Sequence, residues 1–254
     1  MKNKMSFSAT GDSLIVKRIP KDYDGFAPVS EYIKSAGVRL SNLETVISDF
    51  DCFPSAFSGG TWVNARPGVL PDLLDFGFNV FCCANNHSLD YSYNGLKSTI
   101  AALKDCPVAF AGIGMNLYEA SKPAILDLPS GRVAMISICS SFDNAARASH
   151  QTKELPGRPG LNPLRSNTVY TVPPSHMKAL KEIARATLIN GQRDNSKKAG
   201  FTPESPEGVF SFGGIDFKEG ACGQKFTYCN KIDLERTKKG INDALKYTDY
   251  VIIM

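Results

Sequence analysis

The residues with the clearest capacity for chemistry follow one short apolar run. Residues 80 to 84 are apolar and lead directly into Asn85, Asn86 and His87, with Asp90 three residues after the histidine. In an open α/β sheet, side chains that leave the carboxyl end of a buried strand converge on a crevice where ligands bind. An imidazole exchanges protons near neutral pH, and carboxylate or amide oxygens bind metal ions. We therefore predict a functional site at this strand end.

Two further polar clusters follow strand-like runs. Asp12 lies in ATGDS, and Asn42 and Glu44 lie in LSNLET. Their oxygens are ligands that hard and borderline divalent metals accept, and clusters distant in sequence converge when their strands are neighbours. Each cluster also has a local explanation: a Gly-Asp turn, a helix cap with first-turn charge, and an Asx turn at Asn86. The local patterns leave both interpretations open.

The elements that would position these residues alternate between strands and helices. Strand-like apolar or β-branched runs cover residues 5–10, 38–41, 79–84, 108–111, 132–139 and 250–254. Apolar residues recur at helical spacing at Leu96, Ile100 and Leu103, and again from Met177 to Leu188 after a Pro-Pro-Ser start signal. This alternation predicts a layered α/β domain.

Length and composition are those of a globular protein with a substantial core. The 254 residues are 43% hydrophobic and 21% charged, and we predict one domain, 1–254, with a loop-rich insertion from about 141 to 232. The net charge of +4 involves no block of like charges, so we expect no nucleic-acid partner. The seven cysteines include no CxxC pair, which argues against a zinc knuckle and favours reduced thiols.

The N-terminal segment MKNKMSFSATGD is basic but does not lead into a long apolar stretch. It therefore fits neither a signal peptide nor a membrane span. On this basis we expect a cytoplasmic chain as written, with cell-surface association if an anchor has been removed.

Taken together, the polar clusters and their flanking segments resemble a known family. TGDSLIVKR, LSNLETVI, ANNHSLDYSYNGLKSTIAAL, AGIGMNLYEASKPAIL and GRVAMISICS occur in the order seen in the CapA-type poly-γ-glutamate capsule-biosynthesis family. ANNHSLDY, followed by a Gly-Leu helix start, is the most specific of these segments. The resemblance covers nearly the whole chain. It implies a layered α/β fold similar to the calcineurin-like metallophosphatases, with a β-sheet core flanked by helices.

The resemblance also implies a set of metal ligands. Asp12 and Glu44 match candidate ligands, with Asn42 beside them. Asn86 matches the asparagine that binds metal in the phosphatase-like Asn-His motif. The implied cofactor is a divalent metal, Mn, Zn or Fe, of the kind that polarises a phosphoryl or carbonyl oxygen and activates a bound water.

Two catalytic roles follow from the same resemblance. His87 matches the histidine that protonates the leaving group, a role that suits a group titrating near neutral pH. Asp90 is the second candidate catalytic residue, as the carboxylate that would orient the imidazole. It lies three residues after the histidine, whereas the aspartate of the phosphatase motif follows the histidine directly.

Part of the pattern is missing from the sequence. Metallophosphatase-like sites take further histidines from later strands, in a His-Trp-Gly-like and a Gly-His segment, and neither His150 nor His176 matches these motifs. The last strand-like run, YTDYVIIM, ends at Met254. We therefore expect a fold that is incomplete at the C-terminus, with metal bound weakly or absent and this chain inactive even where its parent is an enzyme. An unpaired sheet edge there would favour self-association.

The loop segment GRPGLNPLR supplies two candidate substrate-binding residues, Arg158 and Arg165. Their guanidinium groups can bind a phosphate or the carboxylates of an anionic polymer, and they can equally be solvated or paired with acidic neighbours such as Glu154.

Two functions from different classes remain open at this point. In the first, the protein is a metal-dependent hydrolase or transferase of capsule biosynthesis that acts on a phosphoester or a γ-glutamyl amide bond. Its substrate would be an anionic polymer or a phosphorylated small molecule. In the second, it is a non-catalytic polymer-binding component of a capsule-biosynthesis machine. Fold alone does not separate these alternatives.

Overall fold

The computed structural model describes residues 4–254, so the first three residues of the predicted domain lie outside the described part. The strands are β1 (Phe7–Ser13), β2 (Val38–Leu43), β3 (Val46–Ile47), β4 (Asn64–Ala65), β5 (Val80–Cys82), β6 (Ala109–Ala111), β7 (Ile113–Gly114), β8 (Ala124–Leu128), β9 (Gly131–Ile136), β10 (Gly160–Leu161), β11 (Ser166–Val172), β12 (Val209–Phe212), β13 (Ile215–Glu219), β14 (Lys225–Cys229) and β15 (Tyr250–Ile253). The helices are α1 (Phe26–Lys34), α2 (Val69–Phe76), α3 (Ser92–Lys104), α4 (Leu117–Ala120), α5 (Pro174–Thr187), α6 (Gly191–Lys198) and α7 (Lys231–Ala244).

The chain divides into two compact units. The first comprises residues up to Leu164 together with Ile232–Met254, and the second comprises Arg165–Lys231. The second unit falls within the stretch predicted as a loop-rich insertion, and it carries two helices and a four-stranded sheet between its turns.

A parallel sheet in the first unit positions the polar clusters. Its strand order is β1-β2-β5-β6, and every neighbouring pair is parallel. The carboxyl ends of all four strands therefore meet at one edge. The register pairs Asp12 of β1 with Asn42 of β2, and Asn42 with Cys82 of β5. The three sequence clusters thus emerge side by side from adjacent strands.

Both faces of the inner strand β5 are covered, as expected for a buried parallel strand with an apolar sequence. Phe81 and Cys83 face a core that includes buried residues of α2 and α3. Val80 and Cys82, which alternate with them, face a second core that contains Met135 of β9. That second core joins the parallel sheet to a further sheet of order β15-β9-β8, in which β15 is parallel and β8 antiparallel to β9.

The structure confirms the predicted α/β class and the elements on which the prediction rested. Each of the six predicted strand segments contains or overlaps an observed strand, with ends that differ by a few residues. The predicted helical stripe of Leu96, Ile100 and Leu103 is the buried face of α3. In the second unit, Met177 and Ala184 form the buried positions of α5.

The second unit has its own sheet, of order β12-β13-β11-β14. In this sheet β11 is parallel to β13 and antiparallel to β14, and α5 contacts β12 and β13. Across the described residues of both units, each helix is too short or too polar to cross a membrane.

Candidate functional site

The site begins with a chain of hydrogen bonds along the carboxyl edge of the parallel sheet. The Asn42 Nδ2 atom donates to Asp12 Oδ1 at 2.8 Å, and Asn42 Oδ1 accepts from Asn85 Nδ2 at 3.1 Å. Asn85 Nδ2 also donates to the carbonyl oxygen of Leu43 at 2.9 Å. The ends of β1, β2 and β5 are therefore tied together by amide side chains. Asn42 lies within β2, so its predicted alternative as a helix cap is wrong.

The turn after β5 is organised by Asn85, which is not among the predicted site residues. The Asn85 Oδ1 atom accepts from the backbone N–H of His87 at 3.1 Å, which is the hydrogen bond of an Asx turn. The Ser88 hydroxyl donates to the carbonyl oxygen of Cys83 at 2.7 Å and closes the turn against the strand. The Asx turn expected at Asn86 is thus made by its neighbour, which leaves the Asn86 side chain available for another role.

His87 and Asp90 form a buried pair. The His87 Nδ1 atom lies 2.6 Å from Asp90 Oδ2, and the Asp90 side chain is fully buried. Asp90 also accepts backbone hydrogen bonds from Val63 at 2.8 Å and Gly59 at 3.3 Å. When the Asp90 carboxylate acts as the acceptor, the Nδ1 atom carries the proton. The Nε2 atom then faces Glu44, with 3.7 Å between it and Oε1.

A segment between β3 and β4, residues 55–63, lies directly against this pair, and we call it the strap. The backbone N–H of Ser55 donates to the carbonyl oxygen of Asp90 at 2.8 Å. The Asn86 Nδ2 atom donates to the carbonyl oxygen of Gly59 at 3.1 Å, which leaves Asn86 Oδ1 free to bind a ligand. A Cβ atom at Gly59 would lie 2.3 Å from Asn86 Nδ2 and 2.9 Å from His87 Nε2, so only glycine fits. In the sequence, the Gly59-Gly60 pair is the feature that indicates a close approach of the backbone to other groups at this point.

Glu44 and Asp12 place two carboxyl groups in contact. Burial raises the pKa of the Glu44 carboxyl, and its hydrogen bond to Asp12 and the Asp12 charge raise that pKa further, against the opposing effect of His87. Glu44 follows β2, and its side chain is only 13% exposed. Asp12 beside it is exposed, so only the Glu44 carboxyl is shielded from water, and two adjacent carboxyl groups favour either a shared proton or a bound cation.

The donor set fits a divalent cation by its chemistry. Asp12 and Glu44 supply carboxylate oxygens, and Asn86 supplies an amide oxygen, the ligand types that such ions accept. Within the described residues, histidine, cysteine, aspartate and glutamate side chains form no group of three arranged to hold a metal. A cation at this place would therefore depend on amide oxygens and water for the rest of its coordination.

Cys139 is a further residue near the site that sequence reasoning did not include. Burial raises the pKa of its thiol, and the charge of Glu44 adds to that effect. Its Sγ atom donates to the carbonyl oxygen of Ser141 at 3.1 Å.

The two predicted substrate-binding arginines fall in different units. The Arg158 Nε atom donates to the carbonyl oxygen of Arg147 at 3.0 Å within the first unit. Arg165 opens the second unit, where its Nη2 atom lies 3.3 Å from Asn230 Oδ1. Their role in substrate binding stays a prediction.

Comparisons with known proteins show which family model and which relatives the chain matches. The model of one family, described as bacterial capsule synthesis protein PGA_cap, matches residues 6–254. The chain is similar to protein y4sH of Sinorhizobium fredii (strain NBRC 101917 / NGR234), with 30% identity over 249 residues that cover 96% of this chain and 52% of that protein. It is also similar to the capsule biosynthesis protein CapA of Bacillus anthracis, with 29% identity over 169 residues that cover 63% of this chain and 40% of CapA. The chain thus spans about half the length of these relatives, or less.

Proposed function

The chain belongs to the bacterial capsule synthesis protein family PGA_cap, and from this premise we propose that it carries the site of a metal-dependent hydrolase or transferase. The bond it would act on is a phosphoester or a γ-glutamyl amide. The observation that carries the proposal is the pair formed by His87 and Asp90, whose second imidazole nitrogen lies 3.7 Å from the carboxyl group of Glu44, which in turn interacts with Asp12.

Each residue of the site has a role in this proposal. Asp12, Glu44 and Asn86 would hold a divalent cation, Mn, Zn or Fe, and Asn42 would hold the Asp12 carboxylate in place through its 2.8 Å hydrogen bond. When bound, such a cation polarises a phosphoryl or carbonyl oxygen and lowers the pKa of a bound water. Similarity to the layered metallophosphatase fold is part of the same proposal.

The imidazole would supply the proton that the leaving group needs. Asp90 fixes the proton on Nδ1, so His87 in its cationic form donates from Nε2 to a departing oxygen or nitrogen. Once that proton has left, the neutral imidazole keeps its Nδ1–H bond to Asp90 and its orientation. Both a departing alkoxide and a departing amine need a proton, so this step suits both substrate classes.

A non-catalytic role as a polymer-binding component is the second candidate. It is compatible with the described part of the chain, in which histidine, cysteine, aspartate and glutamate side chains do not form a three-residue metal group. A carboxylate pair without sufficient metal affinity would leave the protein able to bind a substrate but unable to turn it over.

The test of catalysis replaces His87 and compares it with another histidine. His87→Ala should reduce turnover of a p-nitrophenyl phosphate or a γ-glutamyl anilide, in the presence of Mn²⁺ or Zn²⁺, by about 10² to 10⁴. His176→Ala, at an exposed position of α5, should leave turnover unchanged. Failure of the protein to turn over either probe with any of the metals, while it still binds an oligoglutamate, would favour the binding role.

The test of metal binding uses a readout other than activity. Mn²⁺ should raise the Tm of the wild-type protein, because a ligand that binds only the folded state stabilises it by mass action. Glu44→Gln should abolish that rise, whereas Asp49→Asn, at an exposed carboxylate outside the site, should retain it. An equal rise in both variants would show that the cation binds elsewhere.

A further inference from the structure

Ser55, the first residue of the strap, is a buried polar residue that lies against the turn carrying His87 and Asp90. A buried polar group is stable only when it is hydrogen-bonded, so the partners of Ser55 indicate what it does there. These partners come from the turn and from the other end of the strap.

The Ser55 hydroxyl binds the turn at two points. It donates its proton to the carbonyl oxygen of Leu89, and it accepts from the backbone N–H of Ser92 at 2.9 Å. Because the one hydroxyl proton of Ser55 goes to Leu89, the Ser92 hydroxyl, 3.2 Å away, is the donor in the contact between the two side chains. A single oxygen atom therefore fixes two backbone groups that lie on either side of Asp90 in the sequence.

The backbone of Ser55 adds two further contacts. Its N–H donates to the carbonyl oxygen of Asp90 at 2.8 Å, and its own carbonyl oxygen accepts from the indole Nε1 atom of Trp62 at 2.9 Å. Trp62 lies near the other end of the strap, so this hydrogen bond closes the strap on itself. The N–H, carbonyl and hydroxyl groups of Ser55 are all engaged, and two of the three bind the turn.

The turn needs such support at Ser92. The φ angle of Ser92 is 57°, in the left-handed region, which a residue with a Cβ atom adopts at a cost. A conformation of this kind persists only where surrounding contacts hold it. The Ser92 N–H donates at 2.9 Å both to the carbonyl oxygen of Leu89, within the turn, and to the Ser55 hydroxyl. Ser55 thus supplies the support that comes from outside the turn.

The direction of the imidazole depends on where Asp90 is held. The Asp90 carboxyl group contacts the His87 Nδ1 atom, and it accepts hydrogen bonds from the backbone of two strap residues, Gly59 and Val63. The backbone before and after Asp90 is held by Ser55. Without the Ser55 hydroxyl, the turn and the strap would be free to shift against each other, and the imidazole would lose its fixed direction.

We propose that Ser55 is a positioning residue, which sets the direction of the His87 imidazole by tying the backbone on both sides of Asp90 to the strap. It acts through the turn and not by contact with a reacting atom. The expected effect on turnover rests on the proposed function, whereas the expected effect on the imidazole does not.

The experiment compares Ser55→Ala with Ser30→Ala. Ser30, in α1, is another buried serine whose hydroxyl donates to backbone carbonyl groups, those of Asp75 and Phe76. Each variant loses a buried hydroxyl with backbone partners, so both should show a similar fall in Tm. Only Ser55→Ala should change the His87 imidazole.

The first readout is nitrogen-15 NMR of the imidazole groups. The chain has three histidines, so the His87 signals can be assigned by their loss in His87→Ala. Ser55→Ala should show a mixture of the two His87 tautomers and faster exchange of the Nδ1 proton with water, whereas Ser30→Ala should match the wild type. The second readout is turnover of p-nitrophenyl phosphate with Mn²⁺, in which Ser55→Ala should lower kcat about tenfold with little change in KM.

The two readouts separate this proposal from the catalytic one. Changed imidazole signals in Ser55→Ala would support the role of Ser55 even if the wild-type protein turned over no substrate, a result that would count only against the enzyme. Imidazole signals in Ser55→Ala that match the wild type would overturn the proposal. Equal changes in Ser55→Ala and Ser30→Ala would also overturn it, since the effect would then follow stability and not the strap.

A second variant decides the question if Ser55→Ala does not fold. The Trp62 ring is half exposed, and Trp62→Phe keeps an aromatic ring while it removes the N–H that holds the Ser55 carbonyl. This variant should speed exchange of the His87 Nδ1 proton about two- to threefold, as expected for the loss of one hydrogen bond of modest net strength. Exchange at the wild-type rate in Trp62→Phe would then overturn the proposal.

Discussion

The Nδ1 atom of His87 lies 2.6 Å from Oδ2 of Asp90, and both residues belong to the same turn after β5. A carboxylate three residues from the histidine therefore reaches the position from which it can orient the imidazole. The backbone N–H groups of Val63 and Gly59 hold that carboxylate from the opposite side. The orientation of the imidazole thus depends on two segments of the chain, the turn after β5 and the strap.

The first prediction concerns this pair. Asp90→Asn keeps the shape of the side chain but can present an N–H group to Nδ1, which would move the imidazole proton to Nε2. We expect turnover to fall by about 10- to 100-fold, the usual effect of losing a group that orients a functional histidine. Nitrogen NMR of the imidazole should show the change of tautomer. An unchanged tautomer with unchanged turnover would show that Asp90 has a purely structural role.

The second prediction concerns the strap. Gly59→Ala introduces a methyl group that would collide with Asn86 and His87, so the strap must shift. We expect the free energy of unfolding to fall by about 1–3 kcal/mol and turnover to fall with it.

A glycine without such a neighbour serves as the control for Gly59. Gly240 lies within α7, where the nearest heavy atom to an added Cβ is 3.7 Å away. Gly240→Ala should raise the free energy of unfolding by about 0.5–1 kcal/mol, because alanine is the better helix former. Equal stability of Gly59→Ala and the wild type in urea unfolding would contradict the collision.

The third prediction concerns a buried carboxylate outside the site. Asp72 is fully buried, and hydrogen bonds from Arg18 Nε at 2.7 Å and the backbone of Ile19 at 2.9 Å hold the pKa of its carboxyl below the usual range. Arg18→Met leaves this carboxylate without its counter-charge. We expect a loss of about 1–3 kcal/mol at neutral pH, since Oδ1 of the buried carboxylate then loses its hydrogen bond from Arg18 Nη2.

The stability loss in Arg18→Met should depend on pH, because the pKa of the Asp72 carboxyl is lowered in the folded protein. A carboxyl whose pKa is lowered by folding stabilises the protein above its unfolded pKa, and this stabilisation disappears as the pH falls through the folded pKa. The difference in Tm between the wild type and Arg18→Met should therefore narrow at strongly acidic pH. Lys21→Met, at an exposed pair with Asp75, should change the free energy of unfolding by less than about 0.5 kcal/mol at either pH.

The fourth prediction concerns the cysteines. Cys222 and Cys229 are exposed, whereas burial raises the pKa of Cys82 to about 12 and that of Cys83 well above its ordinary value. A thiol reagent near pH 8 should label the exposed cysteines first and the buried pair only after unfolding, since the thiolate is the reactive form. The double variant Cys222→Ser and Cys229→Ser should lose the fast phase of thiol labelling. Early labelling of Cys82 would contradict the burial of β5.

The sequence by itself determined the local elements and where the polar clusters leave them. The run that precedes Asn85 and the stripe of Leu96 and Ile100 correspond to β5 and α3, because burial imposes a period of two on strands and of about 3.6 on helices. Asp12 and Asn42 were likewise predicted at strand ends, and they lie there. These signals arise from the order of residues within one segment, so the sequence is enough to predict them.

Only the tertiary structure decided which groups meet. The donors to Asp90 come from Gly59 and Val63, which are 31 and 27 residues away, and no spacing rule connects them. The contact between Glu44 and Asp12 depends on the register of the parallel strands. Packing of distant segments fixes these distances, and a linear sequence records residue types without recording which of them become neighbours.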